Sequence, residues 1–106
     1  MSLPEAPEDV PDSWAYLGIT HTEYGPRHLY RRDYHQGQFE GFVWVDRSGL
    51  YGWSVHSLLP EAVLQRFCAP DLDSFDEAAA DVENAVYRLI QRRLDALRRQ
   101  LQGGRK

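Results

Sequence analysis

Apolar residues recur at three- and four-residue steps through the C-terminal third of the chain: Phe75, Ala79, Val82, Val86, Leu89, Ile90, Leu94, Leu97 and Leu101. Polar residues fill most of the intervening turns, and no Pro or Gly interrupts before Gly103-Gly104. This spacing predicts one long amphipathic helix over residues 74–101. Ser74-Phe75-Asp76-Glu77 reads as its capping box, with the Ser74 hydroxyl accepting from the Glu77 amide and the Glu77 carboxylate reaching back to the Ser74 amide.

Upstream the pattern changes period. Trp14, Tyr16, Leu17, Ile19, Thr20 and Thr22 give residues 13–24 strand character, and Gly25-Pro26 reads as a turn. A second strand follows over 28–35, with Tyr30 and Tyr34 on one side and Leu29, Arg31 and Asp33 on the other. Gln36-Gly37-Gln38 makes the next turn. Residues 39–45 and 50–57 form the clearest hairpin, joined by Asp46-Arg47-Ser48-Gly49 as a type I turn closed by a left-handed glycine. That register places Gly41, Val43 and Val45 beside Tyr51, Trp53 and Val55 on the face expected to take the helix. The other face carries Phe42 and Trp44 with Leu50, Gly52, Ser54 and His56. Residues 58–67, with Pro60 at a first helical position, read as a short helix, and 68–73 as the link into the long one.

The expected fold is α+β: a four-stranded antiparallel meander, a short helix, and one long C-terminal amphipathic helix packed on one sheet face. Residues 1–12 read as an extended arm rich in Pro and acids, 13–102 as a single domain, and 103–106 as a flexible tail. A helix of 28 residues runs about 42 Å, whereas strands of six or seven residues span about 20–23 Å. Its last three turns should therefore overhang the sheet and expose Leu94, Leu97 and Leu101.

Charge is segregated along the chain. Residues 1–26 hold five acids and no base, 58–87 seven acids and one Arg, and 88–106 seven bases against Asp95. On the helix this order complements the macrodipole, so it calls for no ligand. Cys68 is alone, which excludes an intramolecular disulfide and fits a reducing cytoplasm. The N-terminus has neither a basic nor an apolar signal region, and no apolar run is long enough to cross a bilayer, so no membrane partner is expected.

Four histidines, His21, His28, His35 and His56, lack a Cys or carboxylate set that would complete a metal site. No nucleophile elbow or phosphate loop accompanies Cys68 or the Ser54/His56 pair. No catalytic, metal or cofactor site is expected, and the protein reads as non-enzymatic. The expected function is association, as a homodimer or with another protein, through Phe42 and Trp44 on the sheet and Leu94, Leu97, Arg98 and Leu101 on the helix. The alternative is a nucleic-acid accessory role, with Arg27, Tyr30, Arg31, Arg32 and Trp44 stacking bases and neutralising phosphates. An acidic pI near 5.5 weighs against it. A third possibility is a small-ligand pocket between the sheet and residues 58–73.

Overall fold

The computed structural model describes residues 3, 5–23, 25–58 and 67–103. Five strands, β1 (Ala15–Thr22), β2 (Gly25–Tyr34), β3 (Phe39–Asp46), β4 (Tyr51–Ser57) and β5 (Phe67–Leu72), precede one helix, α1 (Phe75–Gly103). The sheet is a sequential meander ordered β1-β2-β3-β4-β5, with every neighbouring pair antiparallel. The expected α+β class and antiparallel meander followed by a helix on the sheet are thus observed, with a fifth strand added.

The β3–β4 hairpin has the register that its alternation predicts. Val43 pairs with Trp53, Gly41 with Val55 and Val45 with Tyr51. Gly49, at φ 78°, donates its amide to the Asp46 carbonyl at 3.0 Å and closes the turn in the left-handed region. The Asp46 carboxylate accepts from the Ser48 and Leu50 amides, which fixes the loop from inside.

Three local expectations are corrected. Gly25-Pro26 is not a turn but the start of β2: Thr22 pairs with Gly25, and His21 with Pro26. Residues 68–73 are not simply a link, because Phe67–Leu72 adds to the edge of β4. Pro70 is accommodated there because the register slips between Tyr51 and Trp53, and an edge-strand bulge does not need the missing N–H. At the helix start the Ser74 hydroxyl accepts from the Glu77 amide at 3.2 Å as expected. The Glu77 carboxylate, however, accepts from the Asp73 amide at 3.3 Å rather than from Ser74. Of the short helix expected over 58–67, residues 59–66 lie outside the described residues, and its last residue, Phe67, instead begins β5.

The core lies between the sheet and the first half of α1. Tyr30, Phe39, Val43, Trp53 and Val55 from the sheet meet Phe75, Ala78, Val82, Ala85 and Val86 from the helix. Phe75 takes three aromatic edges at once: Trp14, Tyr30 and Tyr51 stand nearly perpendicular to it at 5.4, 5.3 and 6.3 Å. Trp14 and the half-buried Val10 therefore fasten the end of the N-terminal arm to the helix side of the sheet. Gly41 lets the helix come close, since a Cβ there would stand 2.6 Å from the Val82 side chain. The Trp53 indole donates to the Asp81 carboxylate at 3.1 Å, a polar tie across the same interface.

Candidate functional site

α1 has 29 residues, about 43 Å of helix, and its buried positions end near Val86, with Leu89 and Ile90 half-covered. The remaining turns stand off the sheet. The radius of gyration is 16.4 Å, against about 13 Å for a compact chain of this length, and the longest dimension is 64 Å. On this overhang Leu94, Leu97 and Leu101 are 43, 44 and 73 % exposed. Arg98 lies exposed beside them.

The exposed leucines do not continue the stripe that docks on the sheet. At about 100° per residue, Phe75, Ala78, Val82, Ala85, Val86 and Leu89 fall within about 60° of one line along the helix. Extended past Leu89, that line runs through Arg93, Ala96 and Gln100. Leu94, Leu97 and Leu101 instead centre on a line rotated by about 100°. The cause is in the spacing: from Val82 to Leu101 the apolar steps average about 3.8 residues, so each step turns about 20° beyond the 3.6-residue period. The single stripe expected from the sequence is thus two stripes, one against the sheet and one open.

Phe42 and Trp44 stand on the far face of the sheet as expected, yet both are half-covered, by side chains and backbone of the neighbouring strands β2 and β4. Trp44 lies on Gly52, where a Cβ would approach the indole to 2.4 Å, and the Arg27 guanidinium sits 4.9 Å from the ring centre. Phe42 packs against His56 at 5.4 Å. The far face is therefore closer to self-covered than the helix overhang.

The residues of the nucleic-acid alternative do not share one face. Strand alternation puts Arg27 and Arg31 with Trp44 on the far face, and Tyr30 and Arg32 on the helix face. Tyr30 is buried in the core, and Arg32 pairs with Glu83 of α1 at 3.3 Å while capping the Tyr34 ring. Arg31 is held by two carboxylates, Asp33 at 3.0 Å and Glu40 at 3.1 Å.

Sequence reasoning missed the outer edge of the sheet. β1 carries no charged residue, and Tyr16, Leu17 and Ile19 are each about half exposed. A bulge at Leu17, with Gly18 at φ 93°, breaks that edge into two short pieces and limits strand addition. Tyr16 is also tied inward, its hydroxyl 2.8 Å from Nδ1 of the buried His28. The absence of Lys, Glu and Pro in residues 15–22 was the available signal.

Burial raises the pKa of Tyr30, Tyr34 and Tyr51 above the ordinary phenol value. At Tyr30 the neighbouring phenols Tyr16 and Tyr51 add to that effect, and at Tyr34 the Arg32 guanidinium opposes it. These phenols stay neutral and serve packing. Among the described residues, no three His, Cys, Asp or Glu side chains gather as for a metal ion, and no helix is long and apolar enough to cross a membrane.

No family model matches the chain, and comparison with curated proteins and with solved structures finds no similar one.

Proposed function

We propose that this is a small cytoplasmic, non-enzymatic protein that works by association with another chain, a second copy or a protein partner. The docking surface is the leucine stripe of the α1 overhang, Leu94, Leu97 and Leu101, with Arg98 on its rim; Phe42 and Trp44 are a secondary patch. One observation carries the reading: three leucines stand open on a helix that extends past its own sheet, on a line the sheet cannot reach.

The magnitude sets the kind of association. The exposed fractions of the three leucines add up to about one and a half whole side chains. Closing them contributes about 3 kcal/mol per chain, at about 2 kcal/mol for a fully buried leucine. Two such contributions only modestly exceed the cost of bringing two chains together, on the order of 4 kcal/mol or more. Association through this stripe alone is accordingly weak and concentration-dependent, in a range where the rim charges set affinity and partner choice.

The test is the double variant Leu97→Glu with Leu101→Glu. It should keep the circular-dichroism spectrum and melting temperature of the parent while abolishing association. If it unfolds, or melts ten or so degrees lower, the stripe belongs to the core and the association reading falls. The nucleic-acid alternative is split between two faces: Tyr30 and Arg32 lie on the helix side, away from Arg27, Arg31 and Trp44, and Arg31 is held by two carboxylates.

A further inference from the structure

We infer that the occupant of the open stripe is a second copy of the same helix, running antiparallel. This rests on the association reading above and adds its partner and geometry. Tyr87, Ile90, Leu94, Leu97 and Leu101 are spaced three, four, three and four residues apart, the a/d pattern of a two-stranded helical seam. Tyr87 is exposed like the leucines, and Ile90 is half-covered at the edge of the core. Because this seam is turned about 100° from the sheet-docking line, a second helix lies beside α1 without displacing the sheet. The two sheets then sit at opposite ends of the paired helices.

The charges flanking the seam choose the orientation. Gln91 and Arg98 lie along one flank, Arg93 and Gln100 along the other. In a parallel pair each flank meets the opposite flank of its mate, so Arg93 faces Arg98 of the second copy, twice by symmetry. In an antiparallel pair each flank meets its own kind. With Leu94 layered on Leu97 of the second copy and Ile90 on Leu101, Arg98 then faces Gln91, and Arg93 faces Gln100. Like charges are kept apart, each guanidinium has an amide carbonyl in reach, and the helix dipoles oppose. Parallel pairing is selected against by the same residues that allow the antiparallel one.

Sedimentation equilibrium on the full chain, up to several hundred micromolar, tests this. The parent should show a monomer–dimer equilibrium, and Leu94→Glu with Leu97→Glu should be monomeric with its helix intact. Gln91→Glu places one carboxylate opposite Arg98 of each mate, two pairs per dimer, and should tighten the dimer roughly fivefold at low salt, an effect lost near 1 M salt. Arg98→Glu should bring no such gain. The reverse, Arg98→Glu tightening and Gln91→Glu neutral, is the signature of parallel pairing and overturns the inference. A dimer that survives Leu94→Glu with Leu97→Glu also overturns it, while leaving association through another surface standing. A parent that stays monomeric throughout overturns the second copy as occupant.

Discussion

Replacing Gly41 by Ala probes the contact that sets the helix on the sheet. The added Cβ would stand 2.6 Å from Cγ1 of Val82 and 3.0 Å from the Tyr34 ring. Ordinary contact begins near 3.4 Å, so the helix and strand must part by about 0.8 Å at that point. Val82 cannot swing aside, because a β-branched side chain in a helix has one strongly preferred rotamer and this one is fully buried. Overpacking of this kind costs about 1–3 kcal/mol, partly offset by the lower backbone entropy of Ala in the unfolded chain. The net expectation is about 2 kcal/mol, a fall in melting temperature on the order of 10 °C. Val82→Ala alone removes two buried methyl groups and should cost about 2–3 kcal/mol. Together the two changes exchange volume across the interface, so their combined cost should fall about 2 kcal/mol short of the sum. Urea or thermal unfolding followed by circular dichroism measures all four proteins. A Gly41→Ala protein as stable as the parent, or two costs that simply add, would refute the close approach of α1 to β3.

Further predictions follow from single side chains. The Tyr34 hydroxyl is buried and makes no hydrogen bond of ordinary geometry among the described residues, with the Arg32 guanidinium over its ring, so Tyr34→Phe should stabilise the protein by about 1 kcal/mol; a loss on urea titration would mean that Arg32 satisfies the hydroxyl. Tyr30, Tyr34 and Tyr51 have raised folded-state pKa values, so the unfolded chain releases these protons first. Stability should be level with respect to them below pH 10 and fall as pH rises above it. Thermal melts across that window check the sign; a rise in stability there would contradict it. Ser74→Ala removes the acceptor for the Glu77 amide and should cost about 1 kcal/mol, whereas Ser74→Asp should cost little.

How far the fold could be read in advance depended on how regular each segment is. The β3–β4 register follows from strict alternation and a four-residue turn ending in glycine, and both are local properties. β5 was missed because Cys68-Ala69-Pro70-Asp71 has no alternation and contains a proline; what makes it a strand is the free edge of β4, a tertiary fact. The β1–β2 reversal was placed late because Gly25-Pro26 is a strong turn signal in isolation, yet pairing with Thr22 and His21 draws both residues into β2. The overhang was legible from lengths alone. Its exposed leucines were legible as apolar residues but not as a separate stripe, since steps of three and four look helical whatever their cumulative drift. Face assignment also separates Tyr30 and Arg32 from Arg27 and Arg31, a division that period-two counting gives but composition hides. The half-covered state of Trp44 depends on Gly52 across the sheet and on Arg27 beside it, contacts that only the folded register supplies.

The most direct measurement is the molar mass of the unmodified protein by light scattering over a hundredfold range of concentration. An open seam on α1 predicts a mass that rises from the 12.3 kDa of one chain toward twice that value at the highest concentrations. A mass fixed at 12.3 kDa, together with a Leu97→Glu, Leu101→Glu protein that melts early, would show that the leucines are already enclosed within one chain.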